Sequence, residues 1–147
     1  MFTSTELIQK LPVFIDRSSS AIEIVKFDSL SFSSASTEEE IEIHQGRPSE
    51  FEDLLHFWVK SLMSQDWSGK SKYFLPYAES GKCKVISEDE FNDSTKYLLD
   101  LKHPPSFPLH SDSPFICAMQ MYDDWNDEAA IAAYEDRYIS FYWNTSA

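Results

Sequence analysis

Alternation between apolar and polar side chains predicts most of the strands in this chain. Residues 21–28 and 40–45 alternate with a period of two, which is typical of half-buried strands, and they are expected to pair antiparallel. Residues 82–87 predict a short strand, and the almost unbroken apolar run at 114–122 predicts a central one. The run at 138–144 is aromatic or β-branched at nearly every position, which favours a last strand.

The segment between the last two apolar runs can be interpreted in two ways. Residues 128–135 (EAAIAAYE) are rich in alanine, which favours a helix by propensity. They lie between two strand-like runs, however, and a short polar break at 135–137 precedes the last run. We therefore predict a strand here and a three-stranded C-terminal meander. A helix at 128–135 would remove one strand from the sheet.

The strongest helix signal lies at residues 49–64. Ser49 and Glu52 have the spacing of a capping box, in which two side chains satisfy backbone amides at the start of a helix. The apolar residues that follow form one continuous stripe, which predicts a face packed on the sheet. The stripe consists of Phe51, Leu54, Leu55, Trp58 and Leu62.

Two further helices are predicted from their ends. A short N-terminal helix covers residues 3–11 and is expected to end at Pro12. A helix at about 88–102 begins at a second capping-box match, formed by Ser87 and Glu90.

The structures predicted for two other segments depend on their prolines. Pro76 cannot donate a hydrogen bond to a neighbouring strand, so residues 73–78 are predicted to form an edge strand. Residues 103–114 hold four of the seven prolines and are predicted to form a surface loop. The elements together predict one α+β domain: an antiparallel sheet of about five to six strands, covered by the helices at about 49–64 and 88–102 and by the short N-terminal helix.

Composition adds a strong negative charge and many aromatic rings. The chain has 147 residues, with 12 Lys and Arg against 25 Asp and Glu, for a net charge of −13. This charge repels nucleic-acid phosphates and anionic membrane surfaces. The negative charge can instead attract a cationic partner, or serve only to keep the protein soluble. The 11 Phe, 7 Tyr and 4 Trp argue against global disorder.

The sequence predicts a cytoplasmic protein without a membrane span. No run approaches the roughly 20 apolar residues that cross a bilayer. Residues 1–10 lack the apolar core of a secretory signal. Cys83 and Cys117 are too few for a disulfide framework and do not form a metal-type pair, so both are expected to be ordinary small apolar residues.

Motifs for catalysis, cofactors and metals are missing. The sequence contains no GxSxG, P-loop or HExxH pattern. Residues 124–135 partly match a calcium-binding EF-hand loop, but Ala129 stands where that loop needs glycine. His103 and His110 have no recognised zinc spacing. We therefore expect no cofactor, no metal and no catalytic residues.

Two groups of acidic residues have no local structural reason, whereas acids at helix starts stabilise the helix dipole. One group lies at 38–42 and the other at 123–136. In a strand at 138–144, Tyr138 and Tyr142 share one face, and we expect this face to be displayed near the acidic loop unless a helix covers it. Tyrosine and tryptophan are enriched in interface hot spots, and surrounding carboxylates select a basic partner. The predicted partner-binding residues are Asp123, Asp124, Trp125, Asp127, Glu128, Glu135, Asp136, Tyr138 and Tyr142.

These features favour a non-catalytic protein that occludes a basic protein partner. Its concrete form would be an immunity or antitoxin-type inhibitor of a nuclease-like toxin. One alternative is an inhibitor that imitates DNA, with acids in rows at phosphate-like spacing. Another is a small enzyme, in which one of His44, His56, His103 or His110 lies buried beside a carboxylate with a shifted pKa. The last is an accessory domain whose role the sequence does not reveal.

Overall fold

A single antiparallel sheet organises the chain in the computed structural model, which describes residues 1–18, 21–33, 38–103 and 112–145. The strand order is β1-β2-β6-β5-β4-β3. This arrangement confirms the predicted α+β class and the C-terminal meander. The strands are β1 (Glu23–Phe27), β2 (Glu39–Gly46), β3 (Lys84–Ile86), β4 (Phe115–Asp124), β5 (Asp127–Tyr134) and β6 (Tyr138–Thr145).

Helices cover both faces of the sheet. On the first face, which we call the three-helix face, α1, α2 and α3 bury a core that includes Trp58, Met119 and Ile131. On the second, the one-helix face, α4 contributes Phe91 to a core that includes Phe141. The helices are α1 (Ser4–Asp16), α2 (Leu54–Met63), α3 (Phe74–Glu79) and α4 (Glu88–Ser94). No helix in the described ranges combines the length and apolar character needed to cross a bilayer.

The alanine-rich segment is a strand, as predicted. β5 lies between β4 and β6 and pairs with both along nearly its whole length. Ala129 and Ala133 are buried on the three-helix face, and Ala130 and Ala132 on the one-helix face. Burial on both faces and two neighbouring strands outweigh the weak helix preference of alanine.

The N-terminal helix is longer than predicted. It starts at the predicted cap, because the Thr3 hydroxyl accepts a hydrogen bond from the Glu6 amide at 3.1 Å. It does not end at Pro12, which lies inside the helix. Proline removes one internal hydrogen bond, but Leu11 and Phe14 on either side are each only 1% exposed. Their burial offsets the lost bond and carries α1 on to Asp16.

The main helix begins later than predicted. Its N-cap is Asp53, whose carboxylate accepts a hydrogen bond from the His56 amide at 2.9 Å, so the capping box predicted from Ser49 is wrong. Phe51 is extended rather than helical, and its ring lies over Gly46. A side chain at Gly46 would meet that ring at 2.7 Å, so the glycine makes room for it.

The predicted edge strand at 73–78 is wrong, because Phe74–Glu79 forms α3. Pro76 occupies the third position of this helix. The first four amides of a helix have no partner inside it, so a proline there removes no hydrogen bond.

The last helix is shorter than predicted. α4 starts with the predicted Ser87–Glu90 capping box but ends at Ser94, and a 3₁₀ turn follows at Lys96–Asp100. The hydroxyls of Ser94 and Thr95 donate to backbone carbonyls of the preceding turn, which weakens a helix interior. The predicted loop at 103–114 falls largely outside the described residues.

Candidate functional site

The strand register brings the two unexplained acidic groups to the same end of the sheet. β2 begins at this end, and the β4–β5 hairpin turns there. Asn144 of β6 lies opposite Glu40 on one side and opposite Asp127 on the other, and Asp127 in turn pairs with Asp124. Neighbouring strands lie about 4.8 Å apart, so these residues form one row across four strands. We call this region, residues 38–42 and 123–128, the acidic end.

The tip of the β4–β5 hairpin presents a tryptophan to solvent. Trp125 is 76% exposed, and Asp123 and Asp124 beside it are exposed as well. Two strands thus hold an exposed aromatic side chain beside carboxylates.

Two of the predicted contact residues lie elsewhere. Glu135 and Asp136 are in the turn after β5, at the opposite end of this eight-residue strand. At about 3.3 Å per residue, the strand separates them from Asp127 by roughly 25 Å. The Asp136 carboxylate accepts a hydrogen bond from the Ser113 hydroxyl at 2.7 Å. The structure therefore does not join these two acids to the acidic end.

The expectation that Tyr138 and Tyr142 are displayed is also wrong. They do share one face of β6, as predicted, but α2 covers that face. Tyr142 is 3% exposed, and its ring stacks on Trp58 with centroids 5.5 Å apart. Tyr138 is half-buried and contacts the Phe57 ring at 5.5 Å. Neither ring is displayed on an open face of the sheet.

A cavity of about 490 Å³ opens between the acidic end and the loop after α2. We call it the acidic cleft. Its wall carries four carboxylates and the Lys70 ammonium, so the lining is predominantly negative. The carboxylates are those of Glu40, Glu42, Asp66 and Asp127, and Tyr77 and Tyr142 contribute aromatic surface.

A hydrogen bond from Tyr77 to Asp127 joins α3 to the hairpin. Burial raises the pKa of the Asp127 carboxyl above its usual range, and the hydrogen bond from Tyr77 offsets part of this increase. Burial and the nearby carboxylate raise the pKa of the Tyr77 phenol. The Tyr122 hydroxyl donates to the backbone carbonyl of Tyr77 at 2.6 Å. The cleft wall on this side is therefore held by two tyrosines.

A chain of buried polar groups lies behind the other wall. Glu42 accepts from His44 Nε2 at 2.9 Å, and His44 Nδ1 lies 2.7 Å from the Ser61 hydroxyl. Ser61 Oγ also lies 2.6 Å from the hydroxyl of Ser140 and 2.7 Å from that of Tyr142. If His44 is neutral with its proton on Nε2, Ser61 donates to Nδ1 and accepts from both other hydroxyls. Every group in the chain is then satisfied, as buried polar groups require.

This chain has the order of an acid, histidine and serine triad, but its geometry is not catalytic. His44 and Ser61 are completely buried, and the Ser61 oxygen already has three partners. A nucleophile must reach the substrate atom that it attacks, and no substrate can approach Ser61. Sequence reasoning listed His44 as a possible catalytic residue but missed Ser61, because only the fold brings α2 over β2.

Neither His56 nor His103, the other two histidines that the structure describes, forms a comparable pair. His56 is buried at the start of α2, where Nδ1 accepts a hydrogen bond from the Glu52 amide at 3.0 Å. Burial lowers its pKa, and the positive charge of Lys60 adds to this effect. His103 is exposed, and His110 lies outside the described residues.

The acidic end continues onto the one-helix face. Asp123 and Glu128 line a second cavity of about 260 Å³, together with Glu90 and Asp93 of α4. Tyr97 donates to Glu128 at 3.1 Å and stacks on Trp143 with ring centroids 4.1 Å apart. Burial, followed by the Glu128 charge, raises the pKa of Tyr97 to about 12. Asp127 and Glu128 are neighbours in sequence but face opposite sides of the sheet.

Neither the possible metal ligands among the described residues nor the comparisons with known proteins assign a function. Among the described residues, no group of three or more His, Cys, Asp or Glu side chains is arranged to hold a metal ion. Comparison with protein-family models, with curated proteins and with solved structures found no match. The function must therefore be argued from the site itself.

Proposed function

We propose that the protein is a non-catalytic binding module that captures a basic protein through its acidic end. The observation that carries this proposal is the meeting of two acidic groups, about 80 residues apart in sequence, at the end of the sheet where the β4–β5 hairpin presents the exposed Trp125. Surface carboxylates steer a basic partner and speed its association. An exposed tryptophan beside carboxylates supplies contact area of the kind found in hot spots.

The form of this function that we favour is an immunity or antitoxin-type inhibitor. A nuclease-like toxin needs a basic surface to hold phosphates, and the acidic end has the complementary charge. An inhibitor of this kind acts beside its target inside the cell, which agrees with the cytoplasmic location expected from the sequence. The fully buried His44 and Ser61 favour binding over catalysis.

Imitation of DNA is the second candidate. The row formed by Glu40, Asp127 and Asp124 crosses several strands and is more linear than a compact patch. This candidate predicts that duplex DNA displaces the captured protein competitively. A toxin inhibitor that blocks an active site without copying the duplex would be displaced poorly by the same DNA.

The proposal is tested by reversing two charges at the acidic end of the sheet. Reversal of two charges near the opposite end is the control. The first variant is D123K/D124K, at the hairpin tip. The matched control is E50K/E135K, which changes the charge equally at two exposed positions near the opposite end. Both variants should unfold at nearly the wild-type temperature, because all four side chains are on the surface.

The measurement is capture of proteins from a lysate of the native cell at increasing salt. We expect wild type and E50K/E135K to retain the same basic protein, D123K/D124K to lose it, and salt to weaken the complex. Equal capture by both variants would remove the acidic end from the interface and contradict the proposal.

A further inference from the structure

An apolar groove lies beside the acidic cleft. Its volume is about 350 Å³, and it runs between the end of α1, the end of α2 and the start of α3. Two of its apolar residues are exposed: Met63 by 36% and Leu75 by 49%. The groove is lined by Ile15, Met63, Trp67, Ser71, Phe74 and Leu75.

Trp67 forms the boundary between the groove and the cleft, since it lines both cavities. Its indole N–H donates to the Leu62 carbonyl at 2.8 Å, which fixes the ring at the end of α2. On one side the ring contacts Tyr77 of the cleft, with centroids 5.8 Å apart. On the other it contacts Phe74 of the groove at 5.2 Å. The two cavities are thus neighbours in space, separated by a single side chain.

The charges on this surface are arranged unevenly. The cleft carries four carboxylates against the ammonium of Lys70, whereas none of the described residues that line the groove is charged. An occupant that spans both cavities must therefore be cationic at one point and apolar at the next. An acidic occupant would meet carboxylates in the cleft, and a purely cationic one would leave the groove empty.

We propose that the cleft and the groove together bind an amphipathic basic segment of the partner protein. An arginine or lysine side chain enters the acidic cleft, and a bulky apolar side chain enters the groove beyond Trp67. Because the Tyr77 and Phe74 rings both contact Trp67, they lie no more than about 11 Å apart, roughly the span of three residues of extended chain. The inference rests on the proposed function, because it specifies which part of a basic partner this protein recognises.

The apolar groove also explains why charge alone does not define the partner. Cationic side chains are common on protein surfaces, and exposed ion pairs contribute little affinity. An apolar side chain that leaves water for the groove adds affinity that salt does not screen. A partner selected by both cavities would keep part of its affinity at high salt.

Two defined variants and three peptides test this inference. The groove variant M63S/L75S removes apolar surface at accessible positions. Its control is I8S, which removes an apolar side chain that is 51% exposed on α1 and does not line the groove. The first probe is a labelled peptide with arginine and leucine three residues apart, in a background of glycine and serine. The second replaces leucine by serine, and the third replaces arginine by glutamate.

Fluorescence anisotropy should show saturable binding of the arginine–leucine peptide to wild type and I8S. We expect M63S/L75S to bind this peptide about tenfold more weakly than wild type does. The peptide that lacks leucine should bind wild type with the same reduced affinity. The peptide with glutamate in place of arginine should not bind. Equal affinity of wild type and M63S/L75S for the first peptide would overturn the inference. Preference for the glutamate peptide would do the same, because Lys70 would then dominate the site.

Sedimentation of wild type and M63S/L75S, together with capture of the natural partner, distinguishes this inference from its alternatives. If wild type self-associates in sedimentation and M63S/L75S does not, the groove binds a second copy and the inference is wrong. If D123K/D124K loses the natural partner while M63S/L75S captures it normally, the proposed function stands and the groove is not part of it. If M63S/L75S also loses the natural partner, both proposals gain support.

Discussion

The two faces of the sheet use the same six strands but are built differently. The buried core of the one-helix face is apolar, and Ile43, Ile139 and Phe141 belong to the same cluster as Phe91 of the short α4. The three-helix face combines a large aromatic core with the buried chain from Glu42 through His44 and Ser61. The polar chain lies on the face that carries the acidic cleft. The buried polar side chains therefore lie behind the wall of the acidic cleft, whereas the buried cluster of the other face consists of hydrophobic residues.

The largest effect should come from truncation of Trp58 on the three-helix face. Its side chain is completely buried and stacks on Tyr142, so Trp58→Ala should lower the free energy of unfolding by about 4 kcal/mol. Chemical denaturation measures this change. Trp125→Ala, at a position 76% exposed, is the control and should change stability by no more than about 0.5 kcal/mol. A neutral Trp58→Ala would mean that α2 does not pack on the sheet as described.

The one-helix face should be less sensitive to truncation. Phe91 is the buried residue of α4, and Phe91→Ala should lower the free energy of unfolding by about 3 kcal/mol. The expected loss is smaller because the short helix can shift toward the sheet and partly fill the cavity. A loss larger than that of Trp58→Ala in the same denaturation experiment would reverse our ranking of the two faces.

Removal of the central hydroxyl should disrupt the polar chain of the three-helix face. Ser61→Ala leaves His44 Nδ1 and the hydroxyls of Ser140 and Tyr142 without this partner, and we expect a loss of about 2 kcal/mol. Ser94→Ala, which removes an exposed hydroxyl from α4, should have an effect below about 0.5 kcal/mol. Equal unfolding midpoints for the two variants would show that the polar chain contributes nothing to stability.

The smallest effect should be a pH dependence that arises from His56 on the three-helix face. Burial, with the charges of Lys60 and Arg17, lowers its pKa in the folded state, while Asp53 acts in the opposite direction. The unfolded chain then takes up a proton near pH 6.5, before the folded protein does, so stability falls as the pH drops through and below that value. His56→Gln should unfold with a shallower pH dependence than wild type between about pH 7.5 and about pH 5.5. A wild-type slope for His56→Gln would contradict this assignment.

Local pattern was sufficient to predict the six strands that form the sheet, although it also predicted a strand at 73–78 that is a helix. Alternation in β2, and in β6 around Phe141, gave the correct faces, because a strand places successive side chains on opposite sides. The Ser87 capping box also gave the correct helix start. These features depend on residues that are close in sequence, so a single sequence contains the information needed to predict them.

Features that depend on contacts distant in sequence were not predictable. The burial of Tyr142 follows from α2 lying over β6, and the role of Ser61 follows from its contact with His44 on another element. The position of Phe51 depends on the space above Gly46, and this moves the start of α2 to Asp53. The meeting of the two acidic groups depends on register across four strands, which composition alone does not reveal.

The strand order also leaves β1 and β3 as the outer strands of the sheet. β3 is only three residues long, with an exposed lysine at position 84 and another just before it at 82, and β1 has five residues that include the exposed Glu23 and Lys26. Short outer strands with charged side chains are poor templates for the addition of a foreign strand. Edge-to-edge joining of two such sheets is therefore disfavoured at both outer strands.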